Sequence, residues 1–146
     1  MKAVIFIFLA LFISINVTAE SFPDDLYAMP IAEGLPEHEW SYQQGLDFDV
    51  IHFRNTQGNG VRIYLDVKAK PVNSNEYIDT TVMGQPVKLF KKCTKKNDCM
   101  YTASVNSGIQ LNGTDLWTQI WVKPENNNIQ PYVNWLSTLS FQQKKS

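Results

Sequence analysis

Two cysteines, Cys93 and Cys99, enclose the lysine-rich run TKKND between the segments PVKLFKK and MYTASV. Cysteine pairs do three kinds of chemistry: they bridge, they bind a soft metal, or they exchange thiols with a partner. Zinc takes four protein ligands, or three and a water. Only His38 and His52 accompany the cysteines, neither at ligand spacing to them or to each other, so no metal and no cofactor is expected. Thiol exchange uses cysteines two residues apart at a helix start, which five intervening residues on an alternating segment do not resemble. A disulfide closing a hairpin is the remaining chemistry, and it suits an isolated pair in an exported chain.

The same hairpin is strongly cationic. Lys88, Lys91, Lys92, Lys95 and Lys96 lie close together, with Asp98 as the acid beside them. Facing Cys93 with Cys99 puts Val87, Leu89 and Lys91 on one face with Tyr101, Ala103 and Val105. Lys88, Phe90 and Lys92 then share the other face with Met100, Thr102 and Ser104. A stapled, cationic and partly apolar finger is suited to an acidic protein surface or an anionic envelope polymer. The plainer alternative is a solvated edge hairpin whose lysines discourage sheet-to-sheet pairing.

A second binding chemistry is carried by LWTQIWVK. Alternation puts Trp117, Gln119 and Trp121 on one side and Leu116, Thr118, Ile120 and Val122 on the other. A flat Trp-Gln-Trp stripe can stack on sugar rings or anchor a protein interface; the alternative is that a terminal helix covers it. Asp47, Asp49 and Asp66 converge on one face in the hairpin register set out below, a weak calcium pattern that Arg62 and Lys68 would neutralise. Asn112 opens an NGT sequon, used only by a eukaryotic secretory pathway.

Catalytic chemistry is sparsely provided. His38 sits in PEHEW between two glutamates, a setting that favours its charged form, and His52 is expected on a core face. The chain contains no glycine-flanked serine elbow, phosphate-cradling glycine loop or two-histidine metal motif. A hydrolase would have to be assembled from His38, Glu37, Glu39, His52 or the aspartates.

The elements that position these residues begin with an export signal. Lys2 precedes an apolar run from Ala3 to Ile15, and Val17-Thr18-Ala19 fits signal peptidase cleavage. Residues 1–19 are therefore expected to be removed, leaving 127 residues (146 minus 19) as one domain, 20–146. No cysteine adjoins the cleavage point, so no lipid anchor is expected, and no later run is long enough to span a bilayer. A periplasmic or secreted location follows.

The mature chain holds 12 bases (13 minus Lys2) against 14 acids, a balance that argues against nucleic acid as a partner. Eight of the acids fall in residues 20–49, which contain no Lys or Arg. This predicts an extended acidic N-terminal segment, 20–44, laid across a basic remainder. Pro23, Pro30, Gly34 and Pro36 keep it from forming a helix.

From Leu46 the pattern alternates. LDFDVIHFRN and VRIYLDVKAK flank TQGNG and read as a β-hairpin. Pairing Arg54 with Val61 puts Leu46, Phe48, Val50 and His52 on a core face with Ile63, Leu65, Val67 and Ala69. After the KPVNSNE loop, YIDTTVMG reads as a strand, the cysteine hairpin follows, NSGIQLNG reads as a turn-rich connection, and LWTQIWVK as another strand. Pro131 in PYVNWLSTLSF marks a short helix in preference to a last strand. The expected fold is mainly β (possibly α+β): an antiparallel sheet or small sandwich of about five to seven strands with one short C-terminal helix.

The function expected from these features is non-catalytic recognition, with an inhibitor or immunity protein for an envelope-active enzyme as its concrete form. A carbohydrate or cell-wall binding module using Trp117, Gln119 and Trp121 is the alternative, and a small hydrolase is third. Oligomeric state has no signature in the sequence.

Overall fold

The computed structural model describes residues 26, 28–45, 48–66 and 73–143; the signal sequence expected at 1–19 lies outside them. Among the described residues the chain forms nine strands and one α-helix. These are β1 Ala28–Ile31, β2 Glu39–Gln44, β3 Asp49–Arg54, β4 Gly60–Asp66, β5 Tyr77–Val82, β6 Gln85–Cys93, β7 Cys99–Leu111, β8 Thr114–Lys123, α1 Gln130–Leu136 and β9 Ser140–Gln143. A seven-stranded sheet runs in the order β2-β3-β4-β8-β7-β6-β5, and β1 and β9 form a two-stranded one. All strand pairs are antiparallel.

Period-two alternation explains which way each strand faces. On β4, Val61, Ile63 and Leu65 are fully buried between the outward Arg62, Tyr64 and Asp66; on β8, Leu116, Thr118, Ile120 and Val122 alternate with Trp117, Gln119 and Trp121. The enclosed face joins Ile51, Phe53, Leu89, Ala103 and Val105 in one core cluster.

Helix α1 closes that face. Pro131 lies in its first turn, and Tyr132, Trp135 and Leu136 are buried at three- and four-residue spacing. Trp135 stacks on Phe53 with ring centroids 5.0 Å apart and planes 12° apart. Trp40 on β2 packs 4.5 Å from Phe53 and 5.9 Å from Trp135. The helix ends where the Thr138 N–H donates to Trp135 O at 2.9 Å, and the Glu33 N–H donates to Thr138 Oγ1 at 3.1 Å, tying the β1–β2 connection to the helix end. Both C-terminal alternatives are realised in sequence: the helix, then β9 paired back to β1.

Two expectations are corrected. The first hairpin pairs Arg54 with Gly60, not with Val61, so Ile51 and Phe53 face the core and Val50 and His52 face outward with Arg62 and Tyr64. The loop is Asn55–Asn59: the Asn55 N–H donates to Asn59 O at 2.9 Å, the Gly58 N–H donates to Asn55 O at 3.0 Å, and Asn55 Oδ1 accepts from the N–H groups of Gln57 and Asn59. Gly60 belongs to the strand, at φ 146°, where a Cβ would lie 2.1 Å from Phe53 O. The one-residue shift also separates the aspartates: Asp49 is buried on the core side, Asp66 lies on the opposite face, and Asp47 is outside the described residues.

Second, NSGIQLNG is not a connection. Strand β7 runs on to Leu111 through an irregularity between Asn106 and Gln110, and the reversal is confined to Asn112-Gly113, at φ 51° and 78°. The acidic segment, expected to be extended, supplies strands β1 and β2. No ion pair among the described residues joins Glu33, Glu37 or Glu39 to a base; the pairs are Lys88–Asp79, Lys91–Glu76 and Lys123–Asp98.

If Gly60 is what admits this register, Gly60→Ala should lower the urea-derived unfolding free energy by about 2 kcal/mol or more. Gly34→Ala, with no atom within 4 Å of its Cβ, should stay within about 0.5 kcal/mol. Equal effects would contradict the assignment.

Candidate functional site

With α1 packed on one side of the sheet, the outward side chains of the seven strands make the opposite face, where Phe48 of the β2–β3 connection sets its ring 5.1 Å from Tyr64. Strand register sets them in rows. One row reads Ser41, His52, Arg62, Trp121, Thr102, Phe90, Tyr77, each the Cα partner of the next. The stapled hairpin and the tryptophan stripe, read as separate candidates from the sequence, therefore meet on a single surface: Phe90, Lys92 and Met100 at one side, Trp117, Gln119 and Trp121 in the middle. Trp117 and Met100 are each 37% exposed. The terminal helix does not cover the stripe.

The hairpin is firmly built. Cys93 and Cys99 are Cα partners joined by a disulfide, with Cα atoms 4.0 Å apart. The Thr94 N–H donates to Asp98 O and the Asn97 N–H to Thr94 O, both at 3.0 Å, giving the same five-residue loop as at Asn55–Asn59. Asn127, in the 3-10 turn Glu125–Asn127 after β8, clamps it from outside: its Oδ1 accepts the Cys99 N–H at 3.3 Å and its Nδ2 donates to Asn97 O at 2.8 Å. Lys123 adds an ion pair to Asp98 at 3.4 Å.

The lysines are not one patch. Lys91 turns to the Tyr101 side of the sheet and pairs with Glu76 at 3.5 Å. Lys88 pairs with Asp79 at 3.7 Å and lies 3.4 Å over the Tyr77 ring. Lys92, Lys95 and Lys96 are exposed and make no ion pair among the described residues, so the available charge sits at the hairpin tip.

At the other side of the row the face sinks into a shallow depression of about 390 Å³. Val50, His52, Arg62 and Tyr64 line it from β3 and β4, Gln43 from β2, and Gln119 and Trp121 from β8. Tyr64 donates its hydroxyl to Asp66 Oδ2 at 3.3 Å. The Nδ1 of His52 is enclosed without a hydrogen-bond partner among the described residues. Burial, then the charges of Arg54 and Arg62, hold the His52 imidazole below its ordinary pKa. Gln43, Arg62 and Tyr64 were not legible as binding residues, and His52, read as a hydrolase candidate, was expected on the core face; the signal that places them is the loop-opening Asn55 and the in-strand Gly60.

His38 lies on the other side of the molecule, over the Phe53 ring at 5.4 Å. Its Nδ1 is 2.8 Å from Pro36 O, which can only accept, so Nδ1 carries a hydrogen, and its Nε2 is hydrogen-bonded to the Tyr132 hydroxyl at 3.1 Å. Tyr132 is pushed to higher pKa by burial, against a backbone hydrogen bond from Glu125. His38 thus ties the β1–β2 connection to α1, and the two histidines do not share a site. No group of three or more His, Cys, Asp or Glu among the described residues is placed to hold a metal ion.

Compared with protein-family models, curated proteins and solved structures, the chain gives no match.

Two stability measurements check this geometry. Replacing both cysteines by serine should cost about 2 kcal/mol, the chain-entropy value for so short a ring. Because the folded state favours neutral His52, its contribution is complete above the ordinary imidazole pKa of 6.5 and is lost as pH falls through 6.5 toward the lower folded pKa. Urea midpoints should therefore fall between about pH 7 and pH 5, and His52→Gln should flatten that slope. An unchanged slope would contradict the environment described.

Proposed function

We propose that this chain is a non-catalytic recognition protein, acting in the periplasm or outside the cell, that binds a protein partner through the uncovered face of its seven-stranded sheet. The observation that carries the reading is the single row running from the stapled hairpin across Trp121 to Arg62 and His52. Tryptophan, tyrosine, methionine and arginine are the side chains that anchor protein interfaces, and all four stand on this face with Lys92 beside them. An inhibitor or immunity protein for an envelope-active enzyme is the specific form we favour, since a rigid surface that contacts without turnover suits that work.

The disulfide fits an oxidising compartment. No helix among the described residues is long and apolar enough to cross a membrane. A second reading, a carbohydrate or cell-wall binding module, is favoured by the exposed Trp117 with Trp121 two strand repeats further along the same side. A hydrolase is less well supported, with His38 and His52 on opposite sides of the sheet and both His38 nitrogens engaged.

Capture of a partner from envelope and secreted fractions by the mature domain, at low and high salt, tests the reading. Lys92→Glu, Lys95→Glu and Lys96→Glu together should weaken capture at low salt about tenfold or more, and Trp121→Ala should weaken it at both. Binding of cell-wall glycan that is lost with Trp117→Ala and Trp121→Ala but indifferent to the lysine changes would select the carbohydrate reading instead.

A further inference from the structure

We infer that the depression between β2, β3, β4 and β8 is a carboxylate subsite that receives an acidic side chain of the protein partner, with Arg62 as its charge partner and Trp121 and Tyr64 as its apolar walls. The inference rests on the recognition reading above and names the chemistry that this face accepts.

Charge sets the ligand class. His52, Arg54 and Arg62 crowd onto adjacent positions of β3 and β4, and neither arginine has an ion pair among the described residues. Of the other titratable groups on this face, Glu39 of β2 is the Cα partner of Arg54, one row away from Arg62. Asp66 of β4 is engaged by the Tyr64 hydroxyl, and Lys123 of β8 by Asp98. Among the described residues the cluster is therefore positive and lacks a counter-charge at Arg62. A guanidinium presents a planar fork that matches the two oxygens of a carboxylate.

Shape sets the source. Pockets for small molecules enclose most of the ligand, whereas this one is a shallow hollow in an open face, suited to a side chain presented from a flat surface opposite. Gln43 adds an exposed amide at its β2 rim, and the Trp121 ring shields the ion pair from water on the β8 side, where a partly desolvated pair gains strength.

A pH response follows. Burial first, and then the charges of Arg54 and Arg62, depress the His52 pKa; an entering carboxylate offsets the charge part, so binding draws a proton onto His52. Affinity should then rise as pH falls from about 7.5 to about 5.5, a range in which a glutamate ligand stays ionised.

The test is NMR titration of the mature, oxidised domain with hexa-L-glutamate and, in a parallel arm, with tetragalacturonate. Hexaglutamate should saturate shifts at His52, Arg62 and Trp121, raise the His52 pKa by about one unit, and bind about fivefold more tightly at the lower pH. Arg62→Gln, an exposed position whose folding is checked by its backbone spectrum, should abolish these effects. An unshifted His52, or shifts that survive Arg62→Gln, would overturn the subsite. Saturation by tetragalacturonate with no response to hexaglutamate would overturn the side-chain source and assign the hollow to an acidic sugar. If Trp121→Ala abolishes partner capture while Arg62→Gln and hexaglutamate do nothing, the subsite fails and the recognition reading stands. Capture indifferent to every change on this face, with the hexaglutamate response intact, separates the opposite case.

Discussion

The registers of the hairpins decide what this molecule offers to its surroundings. In a strand every second side chain faces the same way, so a slip of one residue exchanges the entire enclosed set for the entire exposed set. With Arg54 opposite Gly60, Ile51 and Phe53 are sealed in and His52 and Arg62 are brought out. Gly60 makes this register possible because its backbone passes so near Phe53 O that any Cβ would collide. The hollow at Arg62 and the mixed polar and aromatic row both depend on that one approach.

Given the register, the aromatic cluster determines which face is used up. Phe53, Trp40 and Trp135 pack as a three-ring cluster, so the largest apolar surface of β3 is committed to holding α1. Thr138 and β9 then tie the N-terminal strand onto the same side. With one face occupied in this way, the polar and aromatic residues of the other are left to solvent or to a partner. The disulfide, the Asn127 clamp and the Lys123–Asp98 pair hold the hairpin at one end of that face, so an interface built there loses little side-chain and backbone freedom on binding.

The two hairpins show what sequence can and cannot reveal. Both close through a five-residue loop, Asn55–Asn59 and Thr94–Asp98. In the second, the cysteines identify the facing pair, and the residues sharing each face follow correctly, Phe90, Lys92 and Met100 included. In the first, TQGNG and NTQGN are equally acceptable loops, and both registers offer an apolar face, since Leu46, Phe48 and Val50 alternate with Ile51 and Phe53. Alternation alone cannot choose between them; the side-chain hydrogen bonds of Asn55 and the close approach at Gly60 do, and those are tertiary facts. The stripe at Trp117, Gln119 and Trp121 was legible because Leu116, Ile120 and Val122 alternate with it, but the side on which α1 docks was not. The long β7 was missed because Asn, Ser and Gly in its middle resemble a turn while the chain only bulges.

The central claim is that contact with the partner is made by the uncovered sheet face and not by the side closed by α1. Cross-saturation NMR on the isotopically labelled mature domain, in complex with the partner it captures, measures that footprint residue by residue. The account predicts intensity loss along Phe90, Thr102, Trp121, Arg62 and His52. A footprint centred on α1 and the β1–β9 pair would contradict it.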